Sequence, residues 1–328
     1  MVPVAQSNMA SVENLHTSNR EFLLTCEVRN VPVAFMNAVR RILISDIPTV
    51  VLRDVEILEN TTQMPHEMLK HRFEQLPINV HPSDAATIRD AKIELRVVPE
   101  KSQRTITTAD FVVESGRETI IMRDRDMDTP LLFLYMDPGE AVHVRGRLQV
   151  DTAHVSQVCT ATTAWHVDPE LAKADRKTWV DAGKDAREFD NFYVQRSYSR
   201  DAAGRPNWFD LSVESVGVLK SREILKVAVQ RLRRLLDAYF SEAKESIRRE
   251  QDEGSYTLSL EQGGHTLGAL IQEVMYSDKN VGFASYDVPH PLRNTMVIRF
   301  NTKKTPESVL ANARASIEEY CAVLEKSL

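Results

Sequence analysis

The stretch HEMLKH, residues 66 to 71, holds the side chains most easily read as chemistry. A zinc-protease helix needs histidines at i and i+4. His66 and His71 are five residues apart, about 140° round a helix, so they diverge. Asp124 and Asp126 alternate with Arg123 and Arg125, which reads as a charged loop rather than a pair of catalytic carboxylates. Serine, histidine and aspartate are plentiful, yet no G-x-S-x-G elbow frames a nucleophile. Neither a G-x-x-x-x-G-K-[ST] nor a G-x-G-x-x-G loop offers phosphate a cradle. Cys26, Cys159 and Cys321 are scattered and form no C-x-x-C pair, so they read as small apolar core residues. The expectation is a chain with no catalytic residues, no cofactor and no metal site. What remains are arginines on helices, Arg40-Arg41 and the RLRR run Arg231 to Arg234, whose work is recognition or solvation.

The helix carrying Arg40 is half of a repeat. AFMNAVRRILISDIPTVVLRDV, from Ala34, and TLGALIQEVMYSDKNVGFASYDV, from Thr266, share a layout of amphipathic helix, Ser-Asp stop and strand. With Ser45-Asp46 laid on Ser277-Asp278, Phe35 falls on Leu267, Val39 on Ile271, Ile42 on Val274 and Leu43 on Met275. One extra residue then brings Asp54-Val55 onto Asp287-Val288. Each helix has an apolar face too wide for one thin strand layer to cover, so each needs a partner helix. The expected seam consists of Phe35, Val39, Ile42 and Leu43 against Leu267, Leu270, Ile271, Val274 and Met275. Fully burying a residue of this kind contributes roughly 1.5–3 kcal/mol, more than the side-chain entropy it loses.

The remaining elements divide the chain by texture. The first twenty residues are polar and aperiodic and read as a loose arm. EFLLTCEVRNV alternates as a strand, a helix spans about Val33 to Ser45, and Pro48 forbids its continuation. Short strand-like runs separated by turns then suggest a mostly β insertion over 56–205, with a surface helix in PELAKADRKTWVDAG. A strand in WFDLSVESVG and a long amphipathic helix from Ser221 return to the earlier style. A charged linker lies around Arg248 to Ser255, and a last helix starts at Pro306. The expected division is 1–55 with 206–250 as one half of a dimerisation domain, 56–205 inserted, and 251–328 as the second half. Near the second helix, GGHTLG is read as a helix entry, with Thr266 capping the first turn and His265 either supporting that cap or hydrogen-bonding the partner half. Pro289 and Pro291 shape an extended turn.

FMNAVRRILISDIPTVVLRDVEILENTT followed by HEMLKHRFEQLPI resembles the N-terminal signature of the RNA polymerase assembly subunits: bacterial alpha, the archaeal D subunit and the third subunit of polymerase II. VSQVCTATTAWHVDP and FDLSVESVGVLKSREIL resemble later blocks of that family. GGHTLGALIQEVMYSDKNVGFASYDVPHP resembles its smaller partner, the archaeal L or eleventh polymerase II subunit. A single chain with both parts is similar to the fused subunit of large DNA viruses. The resemblance implies an α+β fold, an alpha-subunit-like pseudo-dimer of two helix/strand halves. On it the two largest polymerase subunits assemble beside small ones, with little direct DNA contact. It carries Asn37, Arg40 and Arg41 over as interface residues. Relatives hold a cysteine cluster in the inserted domain where this chain has only Cys159, so no metal transfers.

Composition bounds the alternatives. The 328-residue chain is 42% hydrophobic and 27% charged with a formal net charge of −6, which disfavours a broad nucleic-acid face. No apolar run approaches a membrane span and no secretory signal opens the chain, so an intracellular location is expected; for a viral protein, that means nucleus, cytoplasmic factory or virion. The competing function is a free-standing regulator that binds DNA through its basic helices.

Overall fold

The computed structural model describes residues 9–114, 120–152, 157–293 and 295–328. In chain order the first elements are β1 (Ser11–Ser18), β2 (Leu23–Arg29), α1 (Val33–Ser45) and β3 (Pro48–Asn60). Then come α2 (His66–Glu74), α3 (Ala85–Asp90), β4 (Lys92–Val97), β5 (Arg104–Thr107), β6 (Val112–Glu114), β7 (Leu132–Met136) and β8 (Val142–Thr152). They are followed by β9 (Cys159–Trp165), α4 (Pro169–Asp181), α5 (Ala186–Glu188), β10 (Trp208–Ser215) and α6 (Ser221–Ala243). The chain closes with β11 (Ile247–Arg249), β12 (Ser255–Leu260), α7 (Gly264–Tyr276), β13 (Val281–Asp287), β14 (Met296–Thr302) and α8 (Pro306–Ser327). The architecture is α+β, organised as two compact units.

One unit takes the residues up to Leu43, Ala161–Glu214 and Ser221–Leu328. It contains two antiparallel four-stranded sheets of the same design, ordered β1-β2-β10-β9 and β11-β12-β14-β13. In each, the second strand leads into a short helix, α1 or α7, and the third into a long one, α6 or α8. Alternation explains the strands: Leu24, Cys26 and Val28 are buried on β2, as are Phe209, Leu211 and Val213 on β10. The long helices run antiparallel. Arg222 Nη1 donates to the Leu328 carbonyl (2.8 Å), Arg233 holds Glu318 (2.8 Å) and Glu325, and Arg314 holds Asp237 (2.6 Å). These mostly exposed pairs set register more than stability. The weight rests on the buried stripes, Ile224, Ala228, Leu232 and Leu236 on α6 and Val309, Leu310, Ala313, Ile317 and Cys321 on α8.

The other unit, Ile44–Thr160 with Ser215–Lys220, is mostly β. Its sheet is ordered β3-β8-β4-β6, with β5 and β7 forming a separate pair. Leu69 and Phe73 of α2 enter its core beside Ile93, Leu95, Val142 and Val144, and Phe73, Phe111 and Phe133 form a chain of ring contacts. His66 and His71 lie on the exposed side of α2.

Four expectations are corrected. The polar opening is not wholly a loose arm. Ser11–Ser18 pairs with β2, and a register shift between Glu13 and His16, with Asn14 at φ 51°, scrambles the alternation that would have announced a strand. Residues 1–8 fall outside the described residues. The insertion starts at Ile44 and ends at Thr160 rather than spanning 56–205, because β3 pairs along most of its length with β8, whereas β9 joins β10. The linker is partly strand, with Ile247 opposite Leu258. The strand half of the repeat also diverges: β13 stays beside β14, but β3 leaves for the inserted sheet, and β9 takes the sheet position that matches β13.

Gly268 lets α7 lie close on its sheet: a Cβ there would sit 2.4 Å from Tyr286 Cδ2 and 2.8 Å from Met296 Sδ. Gly268→Val should therefore cost about 1–3 kcal/mol through overpacking, read as a lowered thermal midpoint.

Candidate docking helix and its seam

The segment entering α1 lacks a hydrogen-bonding side chain at Val31 and Pro32, and its first turn carries no acidic residue. Pro32 offers its carbonyl to the amides of Phe35 (3.0 Å) and Met36 (3.3 Å). The Ala34 amide is satisfied from far along the chain: it donates to Glu273 Oε2 on α7 at 2.8 Å. Toward the other end of α1, Arg41 Nε donates to Thr266 Oγ1 at 2.8 Å. Both bonds involve an ionised partner, the stronger class of hydrogen bond. Together they set α1 and α7 antiparallel, side by side. In the alignment that lays Ser45 on Ser277, Ala34 coincides with Thr266 and Arg41 with Glu273. Each bond therefore joins the same two positions of the repeat, taken in opposite order.

All nine residues expected in the seam are buried: Phe35, Val39, Ile42 and Leu43 on α1, and Leu267, Leu270, Ile271, Val274 and Met275 on α7. Phe35 also meets the ring of Tyr320 on α8 at 5.4 Å. Of the three expected interface residues, Asn37 and Arg41 are exposed and Arg40 is half-buried. Arg40 donates to Asn37 Oδ1 through Nη2 (2.9 Å) and Nε (3.3 Å), so the amide holds the guanidinium in one orientation without neutralising it.

Thr266 does not cap its own helix. Gly263 occupies that position at φ 111°, with no side-chain capping bond, and the Thr266 hydroxyl takes Arg41 instead. The paired glycines turn the chain early enough that α7 begins ahead of Thr266. His265 is exposed and stands edge-on to Tyr286 (5.9 Å). Pro289 and Pro291 are exposed beyond β13, where His290 Nδ1 accepts from the Leu292 amide at 3.1 Å. At the far end of α7, a cleft of about 540 Å³ is lined by Glu273, Ser277, Tyr320 and the 200–207 turn. There Arg205 binds Asp201 (3.0 Å) and reaches Ser277 Oγ (3.3 Å). Nothing in the helical period marked Glu273. Its signal was the pairing of opposite charges, Arg41 and Glu273, at one position of the repeat.

Elsewhere, several titratable groups among the described residues are engaged by the structure. Glu27, His166 and Asp210 bring ligand atoms within 4.8 Å of one another. Each already has a protein partner: Asn14 and Trp208 donate to Glu27 (2.7 and 3.0 Å), and His166 Nδ1 bonds Asp210 (2.8 Å) while stacking on Trp208 (3.9 Å). The Asp124 carboxylate accepts the amides of Asp126 (2.9 Å) and Met127 (2.8 Å) and so makes a turn. Burial pushes all three thiols up to about 12. The Asp278 carboxyl is held below its ordinary value, first by the Asn280 amide and then by the Asn280 side chain.

Comparison with known proteins matches one description, RNA polymerase Rpb3/Rpb11 dimerisation domain, to the chain twice: over residues 25–236 and over residues 255–327. The chain is similar to DNA-directed RNA polymerase subunit Rpo3 of Aeropyrum pernix, 24% identical over 74% of this chain and 98% of that one. It is also similar to the Dictyostelium discoideum DNA-directed RNA polymerases I and III subunit rpac1, 26% identical over 63% and 74%. Against DNA-directed RNA polymerase II subunit RPB3 of Schizosaccharomyces pombe it is 36% identical, over 21% of this chain and 22% of that one.

Two solution outcomes follow from these shifts. With thiols near 12, a neutral maleimide at about pH 8 should label Cys26, Cys159 and Cys321 only as fast as the fold opens, as mass spectrometry over time would read. Because the Asp278 pKa is lowered on folding, its contribution is present above the ordinary value of 3.8 and is lost as pH falls through the lowered one. Asp278→Asn should therefore flatten the acid limb of a melting-temperature profile and lower its neutral plateau.

Proposed function

Because this chain belongs to the RNA polymerase Rpb3/Rpb11 dimerisation-domain family, we propose that it is a non-catalytic assembly subunit of a DNA-dependent RNA polymerase, an intramolecular counterpart of a subunit dimer. The observation that carries this is the reciprocity of the two α1–α7 bonds. In a twofold interface, residue i meets j and j meets i. Ala34 with Glu273 and Arg41 with Thr266 obey that rule between two copies of one element within a single chain. Relatives named as polymerase subunits Rpo3, rpac1 and RPB3 support the polymerase assignment.

The covalent connection through β11 gives the second half an effective concentration of order mM, so pairing need not wait for an encounter. The docking face is the outward side of α1, where Asn37, Arg40 and Arg41 meet carboxylates or carbonyls of the largest subunits. Arginine suits this because its planar fork presents several donors at once. Two dimerisation-domain matches in one chain support a fused subunit; we extend this reading to the kind carried by large DNA viruses, acting inside the infected cell.

The test is capture of the two largest subunits by a tagged full-length chain, read by quantitative mass spectrometry. Arg40→Ala should leave the melting temperature unchanged and weaken capture by about 1–3 kcal/mol, roughly five- to 150-fold. Ile271→Asp should place an unpaired charge at a fully buried position and abolish both assembly and the cooperative melt. Tight duplex binding by the isolated chain, falling steeply with salt, would favour a DNA-binding regulator instead.

A further inference from the structure

Resting on the docking assignment above, we infer that Thr266 and Glu273, both on α7, are positioning residues for the α1 face that carries Asn37 and Arg40. A helix the length of α1 is marginal alone in water, and its ends fray first. At the first turn of α1 the local support is chiefly the Pro32 carbonyl, which accepts the Phe35 and Met36 amides. Val31 and Pro32 have no side-chain acceptor, and the nearest polar residue, Asn30, turns its amide to the Met9 carbonyl (3.1 Å) and to Asn207 (3.3 Å). The first turn of α1 has no acidic residue and the last has no basic one.

The first turn and the turn around Arg41 are also held from the second half of the chain. Glu273 places a carboxylate on the Ala34 amide, where the positive end of the helix dipole favours it, and Thr266 holds the Arg41 guanidinium. Asn37 and Arg40 lie between these two attachments. The Asn37–Arg40 bonds fix one side chain relative to another on the same helix, which presents a defined charge to a partner only if the helix itself is fixed. Arg41 thus works inward, through Thr266, as well as facing outward. The second half does more than cover apolar surface: through two polar bonds it sets the direction in which the first half offers its cation.

The experiment uses the tagged full-length chain, with capture of the largest polymerase subunits as one readout and amide hydrogen exchange at Ala34 and Ile271 as the other. Thr266→Val removes the hydroxyl at nearly constant volume. It should weaken capture about tenfold while exchange at Ile271 stays slow. Thr266→Ser keeps the acceptor and should restore wild-type capture. Glu273→Ala should speed exchange at Ala34 ahead of Ile271 and weaken capture in parallel. Wild-type capture by Thr266→Val, equal losses in the Val and Ser variants, or global opening that exposes Ile271 would each overturn the positioning role. Arg40→Ala separates the two levels: normal capture by that variant removes the docking assignment itself. Lost capture in Arg40→Ala beside normal capture in Thr266→Val removes the positioning role alone.

Discussion

The amide of Ala34 has no acceptor in its own segment, and the carboxylate that satisfies it comes from Glu273, in the other half of the chain. The first turn of α1 is thus completed in part from a distant residue, beside the local Pro32 carbonyl. Burial adds to the same dependence. Phe35, Val39, Ile42 and Leu43 make α1 apolar on a side that one strand layer cannot cover, and Leu267, Ile271, Val274 and Met275 give α7 the identical problem. Both stripes are buried, and the antiparallel placement of the two helices brings Ala34 to Glu273 and Arg41 to Thr266.

Around that pair the unit is built twice, but the copies have been used differently. The sheet orders β1-β2-β10-β9 and β11-β12-β14-β13 match strand for strand, and the long helices α6 and α8 follow equivalent strands. The second copy returns directly from α7 through β13 to β14. The first sends its chain from α1 into β3 and a separate mostly β unit, and only β9 comes back to complete the sheet. A break of that size is tolerated where it falls because the exit of α1 is a connection, and connections accept insertions that a buried strand would not. The polar residues diverged as well. Arg40 and Arg41 on α1 leave cationic character on that face, whereas Gln272 and Glu273 at the matching positions of α7 are engaged by the Tyr286 amide (3.0 Å) and the Ala34 amide.

Much of this was legible in residue order. The stripes of α1, α6 and α8 appear in their sequence spacing, and α1 and α8 begin where Val33 and Pro306 announce them. Superposing two Ser-Asp stops picks out eight positions, Phe35, Val39, Ile42 and Leu43 with Leu267, Ile271, Val274 and Met275, and all eight are buried. Illegible were the features in which one local rule was broken by a distant partner. The β1 strand hides behind a register shift at Asn14, Ile247 is recognisable as strand only once Leu258 lies opposite it, and Thr266, placed like a helix cap, yields that role to Gly263.

The sequence by itself determined which faces must be buried, that the paired element occurs twice, and that familiar catalytic spacings are missing, because periodicity and side-chain chemistry are properties of near neighbours. Tertiary structure alone decided which strand completes each sheet, which carboxylate caps α1 and which hydroxyl holds Arg41. Hydrogen-bond partners hundreds of residues apart leave no periodic trace. They are selected by whatever geometry the buried faces impose once they have met.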